Sequence, residues 1–457
     1  MERYSIKNKK VLVVGAAETG AALAEFLTRR GARVVVSDAA PEEKLGRIPG
    51  LLRRIGARLV CGPHDPADFC SSDLVVLSPG VDHRISPVRA AREAGVEVIG
   101  EIELAARFIS APITAVTGTN GKTSVVRMIT AMLAASGRSV FIGGNIGTPL
   151  IRAAEIKERI DVVVAEVSSF QLDTIKDFSP AVSVLLNVTE DHLDRYAAFD
   201  DYVASKARIF ENQDENDVAI LNAQDPVLKS LARNIAAEIC WFNEDAGEGC
   251  FSFVSGNEVV VRTEKTGKFK VDCQGLPLPG RHNLENASAA ALAALASGAT
   301  EKGVQAGLSR FSPDPHRIEY VATVNGVKCY DDSKATNVDA VVKAVSAMQG
   351  RVVLIMGGRD KGGSYEKLFE SVGNRLRGVV LMGEAAARIK RAANGRVDAL
   401  FAEDMENAVN FGLQMSRPGD ALLLSPACSS FDAYSGYAAR GDDFKRAVFL
   451  AAKGAGK

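Results

Sequence analysis

A chain of 457 residues exceeds what one hydrophobic core organises, and at roughly 150 residues per domain it divides into about three. Its 55 basic and 56 acidic residues nearly cancel, and 47% hydrophobic with 24% charged residues is ordinary globular composition, which excludes a global field for nucleic acid or a membrane surface and argues against disorder. Seven scattered cysteines without CxxC spacing argue against a disulfide framework and for the reducing cytoplasm, while the polar opening MERYSIKNKK and the Ala-rich stretch Asn286 to Thr300 fit neither a secretory leader nor a bilayer span.

Apolar runs followed by Ala-rich helical patterns recur along the chain, the alternation of an α/β protein with mostly parallel sheets covered by helices. The first strand is expected at Val11 to Val14, followed by the turn Gly15-Ala-Ala-Glu-Thr-Gly20, a helix through ALAEFLTRRG, and a second strand, Arg33 to Ser37, ending at Asp38. That order is the one in which a helix N-terminus receives phosphate and the acid meets a ribose or base. Ala17 stands where the fingerprint prefers Gly, so a βαβ unit without ligand is an equal reading. Another run, Leu74 to Leu77, ends in the turn Ser78-Pro79-Gly80.

A second segment opens near Ile109 and runs to about Ser312. Its strand ITAVTG leads into Val116-Thr-Gly118-Thr119-Asn120-Gly121-Lys122-Thr123-Ser124 and then a helical VVRMITAMLAAS. Such a loop turns backbone N–H groups toward phosphate, adds the Lys122 charge and leaves the Thr123 hydroxyl for Mg²⁺; Val116 replaces the usual first Gly. The next strand, Val162 to Ala165, ends in Glu166, placed either to hold Mg²⁺ or simply as a solvated strand-end acid. Val182 to Leu186 runs into Asn187-Val-Thr-Glu190-Asp191-His192-Leu-Asp194, where His192 is a workable metal ligand or a group behind one. Lys206, in DDYVASKARIF, reads from statistics alone as an exposed helix lysine. The alternating runs EVVVRT and KFKVDC predict an antiparallel insertion or edge.

Ser312 to His316 reads as a linker to a third α/β unit, with strands at Val352 to Met356, Val379 to Met382 and Ala421 to Leu424. Its loops Asp331-Asp332-Ser333-Lys334-Ala-Thr336-Asn337, Gly357-Gly-Arg-Asp360-Lys361-Gly and Ser425-Pro-Ala-Cys428-Ser429-Ser430-Phe431-Asp432 fall at sheet edges, and together they point to an anion site.

Together VTGTNGKTS, EVSSFQL, NVTEDHLDRY, LPGRHNLENA, PHRIEY, DDSKATN and SPACSSFD resemble the Mur ligase family over nearly the whole chain. The resemblance implies three domains: residues 1–108, Rossmann-like, for the UDP portion of a substrate; 109–312, a P-loop ATPase; and 313–457, Rossmann-like, for an incoming amino acid. It implies a ligase of peptidoglycan precursor synthesis. There ATP phosphorylates the carboxylate of UDP-N-acetylmuramoyl-L-alanine, and the amine of D-glutamate then displaces phosphate. Family members that add L-alanine or a diamino acid share the ATP-site residues, and a nucleotide-dependent switch that makes no bond is the rival from another class.

The resemblance also assigns residues. Gly118, Thr119, Asn120, Gly121, Lys122, Thr123, Ser124, Asn286, Arg317 and Asp332 would meet ATP, with Lys122, His192, Lys206 and Arg317 catalytic. Thr123, Glu166, His192 and Lys206 would hold one or two Mg²⁺ ions, Lys206 as a carbamate whose oxygens replace an ammonium charge. Thr19, Asp38, Gly80 and Asn145 would bind the UDP-substrate, and Lys334, Thr336, Lys361, Ser430 and Tyr437 would bind D-glutamate. A cytoplasmic monomer with no nucleic-acid partner and no membrane insertion is expected.

Overall fold

The computed structural model describes residues 4–191, 195–244, 249–360 and 362–455. Three sheets follow one another along the chain. The first holds β1 (Lys10–Val14), β2 (Arg33–Asp38), β3 (Arg58–Cys61), β4 (Leu74–Leu77) and β5 (Glu97–Gly100) in the order β3-β2-β1-β4-β5. All its pairings are parallel. Helices on both faces bury β1 and β4 almost completely, which is why those strands are continuous Val/Leu runs instead of alternating ones. The strand order reverses between β1 and β4, so the turns after these two strands flank the crevice where such sheets take ligands.

The second sheet holds β6 (Ile113–Thr117), β7 (Val140–Gly144), β8 (Val162–Glu166), β9 (Val182–Leu185), β10 (Val218–Asn222), β11 (Glu238–Phe242), β12 (Phe251–Ser255), β13 (Glu258–Thr263) and β14 (Gly267–Asp272). Its order is β14-β13-β12-β11-β10-β9-β6-β8-β7. Pairing is parallel from β7 to β12 and antiparallel only for β12–β13 and β13–β14, so the antiparallel edge expected at EVVVRT and KFKVDC is present. The third sheet holds β15 (Glu319–Val324), β16 (Val327–Asp331), β17 (Val352–Gly357), β18 (Leu376–Met382), β19 (Ala399–Phe401) and β20 (Ala421–Leu424), ordered β15-β16-β20-β17-β18-β19. Only its β15–β16 hairpin is antiparallel. Among the described residues no helix is long and apolar enough to cross a membrane.

By internal contacts the chain forms two units: Met1–Asn187, Tyr202–Asp272 and Ala287–Arg310 in one, Val188–Asp201, Cys273–Asn286 and Phe311–Lys457 in the other. Inside the first unit two buried carboxylates tie the first sheet to the second. They sit on the helix Glu101–Ala106, directly after β5. Glu103 accepts the backbone N–H of Lys176, Asp177 and Phe178 at 2.8, 3.0 and 2.9 Å, and Arg107 Nε at 3.0 Å. Glu101 accepts Ile151 N–H at 2.8 Å, while its Oε2 has no hydrogen-bond partner among the described residues. Burial pushes the Glu101 carboxyl up to about 7.

Candidate active site

The loop after β6 turns on Gly118 and Gly121, whose φ values of 149° and 89° suit glycine. Gly121 caps the helix Lys122–Ala135, so the first N–H groups of that helix face the loop, an arrangement that attracts anions. Val116 lies inside β6, in register with Val184 and Glu166. An extended, fully buried position needs no glycine there. Asn187, just beyond β9, clamps the loop from the next strand: its backbone O accepts Thr119 N–H at 3.0 Å, its Oδ1 accepts Asn120 N–H at 2.9 Å, and its Nδ2 donates to Asn120 O at 3.1 Å. Lys122 Nζ folds back to Gly118 O and Thr119 O, each at 2.8 Å.

Glu166 ends β8 and is 3% exposed. Its two oxygens accept the Thr123 hydroxyl at 2.7 Å and Asn145 Nδ2 at 2.9 Å, and Asn145 N–H donates to Glu166 O at 2.8 Å. Gly144 makes this approach possible, since a Cβ there would lie 2.4 Å from Glu166 O and its φ is 98°. Asn145, expected on the muramoyl substrate, is thus held through Glu166 beside Thr123, at the end of the glycine-containing loop. The helix Phe199–Ala207 is fixed by Ser205 Oγ on Ser169 O at 3.0 Å. It carries Lys206, which is 1% exposed and not the solvated lysine that statistics favour. Lys206 Nζ donates to Gly118 O at 2.9 Å and lies 4.6 Å from the Tyr202 ring, and the Tyr202 hydroxyl reaches Thr119 Oγ1 at 3.3 Å. The structure therefore gathers Gly118 to Ser124, Asn145, Glu166 and Lys206 around one loop. His192 and Asp194 lie outside the described residues. The neighbouring Glu190 and Asp191 meet Lys367 at 2.9 Å and Asn337 at 3.1 Å.

Thr19, Asp38 and Gly80 all fall at the carboxyl edge of the first sheet. Asp38 accepts Ala16 N–H at 2.6 Å and Ala40 N–H at 2.8 Å. Ala17, the departure from the Gly pattern, is an extended N-cap residue with φ −92°, so alanine is unstrained there. Gly20 is different, because a Cβ would sit 1.8 Å from Gly15 O. His64, which the sequence did not single out, bonds Ser37 Oγ at 2.8 Å, and burial holds its imidazole below the usual value.

In the second unit Arg317 stands between two non-glycine residues in the left-handed region, His316 (φ 65°) and Ile318 (φ 48°), and for a β-branched residue that conformation is strained. The turn is held by His316 Nδ1 and Asp331 Oδ2 at 2.6 Å, by His316 N–H on Glu319 at 2.9 Å, and by Ile318 N–H on Asp332 Oδ1 at 3.2 Å. Asp332 also accepts Ser425 Oγ at 2.8 Å, and burial raises its carboxyl to about 7. Lys334 Nζ lies 3.9 Å from the Tyr437 ring centroid; Thr336 is partly buried and Ser430 is 2% exposed. Asn286 donates to Asn283 Oδ1 at 3.4 Å. Lys361 lies outside the described residues.

Three family models match in chain order: Mur ligase MurD-like, N-terminal domain over residues 9–100; Mur ligase middle domain over 116–294; and Mur ligase, glutamate ligase domain over 316–428. The UDP-N-acetylmuramoylalanine--D-glutamate ligase of Desulfosudis oleivorans is 47% identical over 98% of this chain and 98% of its own. The chain belongs to the Mur ligase family. The enzyme of the same name from Desulfatibacillum aliphaticivorans is 48% identical over 97% of this chain and 98% of its own. Among solved structures, this Mur ligase shares the fold of UDP-N-acetylmuramate-alanine ligase from Thermotoga maritima, at TM-score 0.60, 19% identity and coverage of 97% and 100%. It also shares that of MurF from Acinetobacter baumannii, at TM-score 0.61, 17% identity and coverage of 98% and 92%.

Besides His64, each unit of this Mur ligase carries a polar group that sequence reading did not assign. Asn187 was visible only as a residue in the acidic loop, because its clamp depends on β9 lying beside β6. Arg440 is 2% exposed, and its guanidinium bonds Ser333 Oγ at 3.0 Å, Ser333 O at 2.9 Å and Cys428 O at 3.2 Å, joining the DDSKATN and SPACSS loops. Burial lowers its pKa to about 10. No local pattern marks either residue; only the tertiary pairing does.

Proposed function

We infer that this chain is an ATP-dependent amide-forming ligase that adds D-glutamate to UDP-N-acetylmuramoyl-L-alanine in peptidoglycan precursor synthesis. The observation that carries this reading is near-full-length identity of 47% and 48% to ligases named for that reaction. A carboxylate is a poor acyl donor, and phosphorylation supplies the leaving group that a neutral amine can displace. Catalysis is then mainly positioning and charge stabilisation. The N–H groups of the loop from Gly118 to Ser124 and the Lys122 ammonium receive the triphosphate, and Arg317, pre-set by its strained neighbours, stabilises charge on the transferred group and on the acyl phosphate. The same cations stabilise the tetrahedral intermediate formed when the D-glutamate amine attacks.

The buried oxygens of Thr123 and Glu166, 2.7 Å apart, are the hard donors Mg²⁺ prefers, and we place one ion with them, His192 and Lys206 completing the set. When bound, the ion neutralises charge on the phosphates. Lys206 reaches the loop at Gly118 O, so a carbamate on its Nζ would deliver oxygens to the same locality. We assign residues 1–108 to the UDP portion through Thr19, Asp38 and Gly80, 109–312 to ATP with Asn286 and, through Asn145, to the muramoyl part of the substrate, and 313–457 to the amino acid. There Lys334, Thr336, Lys361 and Ser430 would grip the two carboxylates beside Tyr437. Phosphate release is to be measured with UDP-N-acetylmuramoyl-L-alanine and a panel of amino acids. Release that depends on D-glutamate supports the assignment; dependence on L-alanine or a diamino acid, or release without any amino acid, overturns it. Lys206→Ala should be inactive, and full activity of that variant without bicarbonate would remove the carbamate.

A further inference from the structure

A cavity of about 730 Å³ opens beside the β10–β11–β12 part of the second sheet, lined among others by Val218, Glu238, Cys240, Cys250, Leu292 and Lys302. None of the residues assigned to ATP lines it, and the ligase chemistry gives it no task. Its two sulfurs are neighbours by construction. β11 and β12 run parallel with Trp241 opposite Phe251 and Phe242 opposite Ser252, so one step earlier Cys240 stands opposite Cys250, and Trp241 N–H donates to Cys250 O at 3.1 Å. Residues one position before a registered pair share the opposite face, which is the face the cavity occupies. The Cys250 thiol beside it, together with burial, raises the Cys240 pKa. Both thiols are free. Adjacent strands lie about 4.8 Å apart, inside the Cα separation of roughly 4.4–6.8 Å that a disulfide spans.

We propose that Cys240 and Cys250 form a redox-active dithiol, a modification site inside this cavity that a peroxide closes to an intrachain disulfide. Cys240 is 3% exposed whereas Cys250 is only half-buried, so Cys250 meets the oxidant first. Its thiolate attacks a peroxide oxygen; the S–O bond forms, the O–O bond breaks, and the departing hydroxide takes up a proton to leave as water. The Cys240 sulfur then attacks the Cys250 sulfenic acid, forming the S–S bond and breaking S–O, and the Cys240 proton goes to the second departing hydroxide. Two thiols lose two electrons in all, and one peroxide becomes two waters.

The test uses the full chain. It is treated with a few equivalents of hydrogen peroxide, quenched, unfolded, alkylated with iodoacetamide and digested for mass spectrometry. The expected result is a linked pair of peptides joined at Cys240 and Cys250, two hydrogen atoms lighter than the reduced pair and released by dithiothreitol, with the free thiols falling from seven to five as two are consumed. In Cys240→Ser the Cys250 sulfenic acid should persist and be captured by dimedone, whereas Cys250→Ser should leave Cys240 uncaptured. Alkylation of both Cys240 and Cys250 at a dose that already oxidises the exposed Cys70 would overturn the proposal, as would a dimedone adduct on Cys240 in the Cys250→Ser chain. The wild-type measurement needs no variant to fold.

Discussion

Replacing Asn187 with Ala removes the acceptor for Asn120 N–H and the donor to Asn120 O while leaving the backbone bond to Thr119 in place. Two side-chain bonds of about 1 kcal/mol each, with up to ~3 kcal/mol where a buried group is left unsatisfied, put the cost to loop order at about 1–3 kcal/mol. At about 1.4 kcal/mol per tenfold, kcat/KM for ATP should fall roughly 5- to 150-fold. The loss should appear mostly in KM for ATP, since the clamp orders the loop before chemistry begins. Asn187→Asp keeps an acceptor for Asn120 N–H, loses the donor, and sets a negative charge beside the phosphates, so it should be at least as impaired. Phosphate release at varied ATP, with the other two substrates saturating and with melting curves to show that both variants fold, makes the measurement. An ATP kcat/KM within twofold of wild type for Asn187→Ala, at unchanged melting temperature, would refute the clamp.

Gly144→Ala forces a Cβ to within 2.4 Å of Glu166 O at φ 98°; displacing Asn145 and Glu166 by even an ångström should cost on the order of 100-fold in turnover, and wild-type turnover would show that the contact yields. Glu103→Ala strands three backbone N–H groups and an arginine. A loss of ~3–5 kcal/mol, at about 2–4 °C per kcal/mol, should lower the calorimetric melting temperature by roughly 10 °C, and a fall under about 2 °C would mean that water replaces the carboxylate. Glu101 holds its proton more tightly folded, at about 7, than at the ordinary 4.5. Its contribution is therefore complete below the lower value and is lost as pH rises through the upper one, by up to ~3 kcal/mol. Glu101→Gln should flatten melting temperature against pH across that window; an unchanged slope would assign the slope to other groups.

Much of this molecule is written locally. The strands expected at Leu74 to Leu77 and Ala421 to Leu424 coincide with β4 and β20, because continuous β-branched and leucine runs bounded by turn residues leave few alternatives. The phosphate loop is equally local, with its glycines, lysine and hydroxyl within a single turn. The hairpin of β15 and β16 was not foreseen, although Asn325 (φ 49°) and Gly326 (φ 77°) form the Asn-Gly turn that signals one. The remaining misses share a cause. Asn187 with Asn120, Glu103 with the amides of 176–178, and Arg440 with Ser333 pair across intervals of 67, 73 to 75 and 107 residues, and periodicity within a window carries no information about partners so distant. The placement of Val188–Asp201 and Cys273–Asn286 with the third sheet's unit escapes a linear reading for the same reason.

The two acids after β5 have a bearing on how such ligases can be taken apart. A fragment severed after the helix Glu101–Ala106 would carry away Glu101 and Glu103 while leaving behind the amides of Ile151 and of residues 176–178 that satisfy them. Two carboxyl groups shaped for a dry seam would then meet water without the amides they were built to receive. Grafting the first sheet from one ligase to another therefore requires moving the receiving amides with it, so the transferable module is larger than its own strands and helices.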